Sequence, residues 1–249
     1  MYAVVATGAV LTVVPLLDML LTSFKGLSEF GKLPFRSLPQ AFDLSNYRTA
    51  LHQLNLPLLF RNSVVATVVI TGSTLVTSAL AGYALAKLRF PGRELVFRLV
   101  LSTMMFPAFL FFVPHFLILV HWPGTGGNDL LGRGGAGLTV SIAALVMPFL
   151  VSGFGIFLMR QFMLSLPDDM LEAARLDGAG EFTVWWRIVL PQTKPVAVTL
   201  TLLTFVNAWN EYIWALLVST ANPRLMPLPV GIQMLQKHYL RGVLLSGLK

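Results

Sequence analysis

The stretch NSVVATVVITGSTLVTSALAGYALAK, residues 62–87, decides the fold. From Asn62 to Ala86 it holds no charged side chain, and Lys87 closes it. A helix of that length rises ~37 Å, enough to cross a hydrocarbon core of about 30 Å. Four further apolar runs flank it: residues 3–24, 95–120, 138–159 and 196–220. Each is long enough to span, and each must be helical, because an isolated span in lipid satisfies its backbone only that way. Pro15 and Asp18 lie in the first run, and Pro107 and Pro114 lie in the third, where irregular backbone needs cover from neighbouring helices.

Composition agrees. Hydrophobic residues make up 55% of the 249 and charged residues 12%, with a mean hydropathy of +0.73. Soluble domains carry about 25% charge, so this chain cannot solvate a surface of its own size. The fold class read from these runs is all-α and polytopic, one transmembrane domain over residues 1–249. The net charge of +7 does not mark a nucleic-acid binder, because the cations sit at the ends of apolar runs rather than in one tract. There is no cysteine, hence no disulfide or thiolate chemistry, and His52, His115, His121 and His238 lack metal-ligand spacing. The first run has no basic leader region or clear cleavage site and reads as a retained span.

Loop charge sets an orientation. Lys87, Arg89, Arg93 and Arg98 follow the second run, only Arg133 follows the third, and Arg160, Arg175, Arg187 and Lys194 follow the fourth. The positive-inside rule then places the N-terminus and the loops after runs two and four in the cytoplasm. Lys25, Lys32, Arg36 and Arg48, on the predicted outside, run against it. The outer segment HWPGTGGNDLLGRGGAG, residues 121–137, has no preceding strand and no Gly-Lys-Ser/Thr ending. It reads as a flexible loop.

The loop SLPDDMLEAARLDGAGEFTVWWRIVLPQTKP, residues 165–195, carries the most information. Ser165 and Asp168 have capping-box-like spacing, Asp168 and Asp169 suit the positive end of a helix, and Gly178 is a natural stop. A second short helix starts at Glu181, and Pro191 and Pro195 punctuate the return to the membrane. Small Ala173, Ala174 and Gly178 would admit a close partner, Phe182 and Trp185 would anchor it, and Glu172 offers a carboxylate to a partner's arginine. The alternative is an amphipathic hairpin on the headgroups with Glu172 paired to Arg175. Local physics leaves both open.

The run Glu172-Ala173-Ala174, then Asp177-Gly178, then Ile188-Val189-Leu190-Pro191 resembles the EAA signature of bacterial ABC-importer permeases of the carbohydrate-uptake, maltose-type (MalG-like) branch. Other stretches resemble the same family: Ser23-Phe24-Lys25, Asn46-Tyr47, Arg61-Asn62-Ser63, Ala81-Gly82-Tyr83-Ala84-Leu85-Ala86, Phe90-Pro91-Gly92, Phe157-Leu158-Met159-Arg160-Gln161-Phe162 and Trp209-Asn210-Glu211-Tyr212. The resemblance implies a type I importer permease in a cytoplasmic (inner) membrane. A second permease subunit would complete a heterodimer, two cytoplasmic ATPase subunits would carry ATP and Mg, and an extracytoplasmic binding protein would deliver the solute. The chain itself would be non-catalytic, without cofactor or metal, in contact with lipid and not nucleic acid. Glu172, Ala173, Ala174, Asp177, Gly178, Ile188, Leu190 and Pro191 would form the ATPase-coupling loop. Residues 221–235 would form an outer loop, with Pro227, Leu228, Pro229, Val230 and Gly231 reaching the binding protein.

Glu211 is a carboxylate inside an apolar run, costly at mid-bilayer by about 2.5–3.5 kcal/mol. With Asn207 and Asn210 it marks either a pathway or inter-subunit contact, or a hydrogen bond that locks helix packing. Asp18 reads as snorkelling and His115 as a satisfied packing residue. Trp122, Trp185, Trp186 and Trp214 are candidates for an interfacial belt. The family has six spans and five are visible. Residues 236–249 resemble its cytoplasmic tail, so a span is missing near Leu235/Gln236. A secondary transporter would need paired intramembrane charges and repeated halves, and a membrane enzyme a nucleophile or metal cluster. Asp18 and Glu211 are too few for either.

Overall fold

The computed structural model describes residues 2–26, 29 and 38–235. Residues 236–249, and with them the question of a missing sixth span, lie outside the described residues. Every regular element among those described is helical. Contacts divide the chain into two compact units, Met1–Leu56 and Pro57–Lys249.

In the first unit, α1 (Tyr2–Ser23) is a single helix with no part of its Val5–Ser23 window buried, despite Pro15 inside it. Its last carbonyls lack helical partners, and Asn46 supplies them: Nδ2 donates to Ser23 O (3.1 Å) and Lys25 O (2.8 Å). Asn46 and Tyr47 open α2 (Ser45–Gln53), and the Tyr47 hydroxyl meets Ser23 Oγ at 2.6 Å. Phe24 packs against Phe42 and Tyr47. The Ser23-Phe24-Lys25 and Asn46-Tyr47 stretches therefore touch.

The second unit is built on α3 (Leu56–Lys87), 32 residues long and unbroken. It starts six residues before the run read from sequence. At its Asn62 end it packs on an apolar cluster centred on Trp214, Leu145, Ala144 and Val218, and at its Lys87 end on a second cluster centred on Met159, Met163, Val184 and Leu200. Between them, Ser73 Oγ and Thr74 Oγ1 donate to Leu150 O (2.9 Å) and Phe149 O (3.1 Å). Gly82 lets α3 cross α7 (Gly153–Leu164) closely: a Cβ there would lie 2.8 Å from Met159 Cβ and 3.0 Å from Arg160 N.

The other spans are not straight. The third run divides into α4 (Arg93–Thr103) and Ala108–Val120, bent by 94°, the second piece ending in α5 (Phe112–Val120). Pro107 sits at the break, where it offers no N–H to continue α4. Met105, Phe106 and Phe109 are exposed beside it, so this chain alone does not cover the irregular backbone. The fourth run begins as a 3₁₀ turn (Gly137–Val140), continues through α6 (Ala143–Val146) to Phe149, bends by 45°, and runs as α7 to Leu164 rather than to Met159. The fifth run divides as well. Here α11 (Lys194–Trp209) ends before Asn210 and α12 (Ile213–Ala221) restarts after Tyr212.

The Gly-rich segment is not the free loop its composition suggests. Buried Asn128 pins it, Nδ2 donating to Val120 O (2.8 Å) and Trp122 O (3.0 Å) while Oδ1 accepts from Gly135 N–H (2.8 Å). Asp129 Oδ1 accepts from Leu131 and Arg133 N–H. Trp214 and Trp185 are core residues rather than belt residues. Trp214 is fully buried with Nε1 donating to Ala144 O at 2.9 Å, and Trp185 is 6% exposed.

Candidate functional site

The loop at the Lys87 end is two-limbed. Its first limb, α8 (Asp168–Leu176), follows Pro167, and no side chain caps it; Ser165 Oγ turns back to Phe162 O instead, so the capping box does not form. Asp168 and Asp169 occupy its first turn, where the helix dipole favours them. Gly178 adopts φ +86°, a conformation open to glycine at little cost. Around it Gly178 N–H reaches Arg175 O and Ala179 N–H reaches Ala174 O, closing the C-terminus. The second limb, Glu181–Gln192, comprises α9 (Glu181–Val184), a π turn over Trp185–Val189 and α10 (Leu190–Gln192). Pro191 cannot donate to the carbonyl four residues back, and the helix widens just before it. After a 77° bend at Thr193 the chain becomes α11.

This geometry sorts the candidate residues. Leu171, Val184, Trp185 and Val189 turn inward with half-buried Ala174, Ile188 and Leu190, so the Ile-Val-Leu part of the signature anchors the loop to its own core. Trp185 is thus no anchor for a partner, and its buried Nε1 has no hydrogen-bond partner. Glu172, Ala173, Asp177, Gly178 and Pro191 are exposed. Leu176 (89% exposed), Phe182 (70%) and Trp186 (57%) join them, and Leu176 and Trp186 carry no signal in sequence that separates them from core residues. Glu172 does not pair with Arg175 and has no ion-pair partner among the described residues. Arg175 instead donates from Nε to Glu181 Oε1 at 2.8 Å.

Charged side chains fasten the loop from below. Tyr83 OH donates to Glu181 Oε2 at 2.6 Å. Lys87 Nζ, its side chain only 4% exposed, donates to Leu166 O (2.7 Å) and Asp168 Oδ1 (2.6 Å). Arg160, counted in sequence as a loop cation, is buried: Nε donates to Leu85 O (3.1 Å), a terminal nitrogen to Glu94 Oε1 (3.1 Å), and the guanidinium lies 3.7 Å over the Phe97 ring. The hydrogen bond from Lys87 holds the Asp168 carboxyl below the usual carboxylate range. Arg175, then Tyr83, does the same for Glu181, which in turn raises Arg175.

Glu211 sits in the break between α11 and α12, not inside a continuous helix. Its Oε1 accepts from Trp214 N–H at 2.9 Å, satisfying one of the open donors at the start of α12. It also lines a cleft of about 20 Å³ with Ser63, Ile70, Phe149, Trp214 and Pro227, room for one water. Asn207 and Asn210 are exposed, and Asn210 Nδ2 donates back to Val206 O. His115 is not a satisfied packing residue. Its ring lies against Phe111 and Trp214, and its buried Nδ1 has no partner.

At the Asn62 end, residues 222–235 are not an extended loop. Pro223–Leu225 make a 3₁₀ turn and residues 228–235 are helical. Asn62 Nδ2 donates to Arg224 O (2.8 Å) and Met226 O (3.0 Å), and Leu228 N–H donates to Ser63 Oγ (2.8 Å). Pro227, Val230 and Gly231 are buried, Leu228 and Pro229 are half-buried, and Ile232 and Met234 face out. Within this stretch the large apolar side chains turned outward are Ile232 and Met234.

Two long apolar helices, three bent helix pairs of spanning length and a loop of charged ties closing one end define a polytopic helical membrane protein of the transport-permease kind. Residues 77–246 match the family described as binding-protein-dependent transport system inner membrane component, and the chain belongs to that family. It is 32% identical over 219 residues to the diacetylchitobiose uptake system permease protein NgcG of Streptomyces coelicolor, covering 88% of this chain and 68% of that one. It is likewise 32% identical over 228 residues to the arabinooligosaccharides transport system permease protein AraQ of Bacillus subtilis, covering 90% and 76%. The fold is similar to a bacterial ABC transporter involved in the import of the acidic polysaccharide alginate, with a TM-score of 0.70 at 24% identity over 98% of this chain and 83% of that chain. The chain is a permease subunit of a binding-protein-dependent ABC importer.

Proposed function

We propose that this subunit forms half of a transmembrane path for a carbohydrate or related solute, beside a second permease subunit. Two cytoplasmic ATPase subunits dock on the loop of residues 165–195, and an extracytoplasmic binding protein delivers the solute. The N-terminus is cytoplasmic. ATP is bound and hydrolysed on the ATPase subunits, and their closure drives the permease pair between inward- and outward-facing states, each partner contributing contacts that differ between the states. Support for the solute class comes from the relatives, whose names specify diacetylchitobiose, arabinooligosaccharides and, at 35% identity over 163 residues, sn-glycerol 3-phosphate. Asn207, Asn210 and Glu211, at the break between α11 and α12, are the proposed pathway or inter-subunit positions. Pro227, Leu228, Pro229, Val230 and Gly231 belong to the proposed outer contact, whose exposed apolar side chains are Ile232 and Met234.

The docking reading is carried by one observation: Glu172, Ala173, Leu176 and Phe182 stand exposed on a loop whose opposite face packs into an apolar cluster. An acid without a partner beside large exposed apolar side chains is the anatomy of an interface centre. Co-purification tests it. The chain should bring down an ATPase subunit, and Glu172→Lys should weaken that association roughly 30-fold, equivalent to about 2 kcal/mol, with membrane insertion unchanged. Solute uptake by the lone purified chain would overturn the proposal.

A further inference from the structure

We propose that Tyr83, Glu181 and Arg175, together with Lys87 and Asp168, are positioning residues that fix the loop of residues 165–195 to the Lys87 end of α3, so that loop and helix move as one body during transport. The inference rests on the docking of an ATPase on that loop.

Tyr83 and Lys87 are four residues apart on one helix and so share a face. From that face each limb of the loop is held separately. Lys87 takes the start of α8 through Asp168 and Leu166 O, and Tyr83 takes the start of the second limb through Glu181. Arg175, at the far end of α8, closes the set by binding the other oxygen of Glu181. The remaining contact between loop and α3 is apolar, with Leu171, Val184 and Trp185 in one cluster with Ala79, Tyr83 and Ala86. Apolar burial is non-directional and would tolerate sliding. Charge-assisted hydrogen bonds are directional and set a single register.

The loop's connection to α11 is looser in design. The second limb meets α11 across the 77° bend at Thr193, a joint rather than a rod. By contrast α3 is unbroken over 32 residues, and halfway along it Ser73 and Thr74 hold the carbonyls of Leu150 and Phe149 at the 45° bend between Phe149 and Gly153. A displacement of the loop is therefore delivered by α3 to that bend.

The test uses the complete importer, with both permease subunits, the ATPases and the binding protein, reconstituted in vesicles. The chain has no native cysteine, so Leu80→Cys and Asp169→Cys, both exposed and outside the ties, take spin labels cleanly. The label-to-label distance should change by less than about 2 Å on ATP binding, whereas a one-turn slip of ~5 Å would overturn the proposal. Tyr83→Phe and Lys87→Met should leave ATPase association intact but lower solute taken up per ATP hydrolysed about fivefold, the scale of a 1 kcal/mol coupling. A merely structural role would lower uptake and hydrolysis together, in step with assembled complex, and would overturn the proposal. If either variant fails to assemble, the labelled distance in the otherwise unaltered chain decides. If the unaltered chain binds no ATPase, the docking reading itself fails, a result distinct from a moving loop or an unchanged uptake ratio.

Discussion

At the Lys87 end of the second unit, α3 is fastened by charge: Lys87 to Asp168, Tyr83 and Arg175 to Glu181, and Arg160 to Glu94. At the Asn62 end the fasteners are neutral. Asn62 holds the carbonyls of Arg224 and Met226, Ser63 takes the Leu228 amide, Asn222 reaches Thr139 O, and Asn128 gathers the Gly-rich loop. Both ends surround apolar clusters on the same helix. Neutral hydrogen bonds hold their geometry across changes of pH and salt. Ion pairs at a water-facing surface are individually weak, but they orient a loop whose exposed side then has one fixed presentation. The charged end also shows Leu176 and Phe182 to solvent.

The sharpest way to break this contrast is to add the same methyl groups at both ends. A Cβ at Gly82 meets Met159 Cβ and the Arg160 backbone, which cannot yield without moving α7. A Cβ at Gly231 meets Leu59 Cδ2 at 2.7 Å, the free end of a side chain that can turn away. Gly82→Ala should therefore cost about 3 kcal/mol and strip most folded protein from detergent extracts. Gly231→Ala should cost under about 1 kcal/mol. Thermal unfolding of the two variants in one detergent compares them directly; equal losses would mean that α3 and α7 do not cross closely at Gly82.

Next in size is Asn62→Ala. Two part-buried carbonyls lose their donor, a penalty of about 1–2 kcal/mol, and residues 222–235 should become the first site of proteolysis. Added salt should not change the pattern, because neither partner is charged. A cleavage rate that rises with salt in the unaltered chain would show that ion pairs, not amides, close that end.

How much of this is legible in the sequence depends on whether the signal is local. Residues 62–86 announce a span because they carry no charge over 25 mostly apolar positions, and Gly178 announces a turn because a helix end wants a residue at positive φ. The break at residues 104–107 escapes a hydropathy average because apolar side chains continue through it, and the one at 210–212 because its Asn-Glu-Tyr is short and flanked by apolar residues on both sides. Glycine content misread residues 121–137: five side-chain and four backbone hydrogen bonds of Asn128 and Asp129 outweigh it. Trp185 and Trp186 are neighbours with opposite fates, one buried and one exposed, at the start of the π turn within the second limb. The tie from Tyr83 to Glu181 spans 98 positions and has no local mark at all. What resemblance added was the identity of a surface, and the fold then divided that surface into an outward face and an inward anchor.

The smallest expected effect is the one that separates the two chemistries most cleanly. Asp168 and Glu181 both titrate below their unfolded values, the first through its bond from Lys87 and the second through Arg175 and Tyr83. A depressed folded pKa adds stability above the unfolded value, about 3.9 for Asp and 4.3 for Glu, and loses it as pH falls through the folded value. The loop ties are therefore complete at neutral pH and weaken only in acid, below roughly pH 4. Both carboxylates are largely exposed, so solvent screening keeps the change modest. Amide exchange, corrected for intrinsic rates, should show α8 losing protection as pH falls from 6 toward 3, while Leu228 and Gly135, held by Ser63 and Asn128, keep theirs. Parallel loss at both sites would mean that acid unfolds the unit as a whole, and that the ties at Lys87 have no separate role in holding the loop.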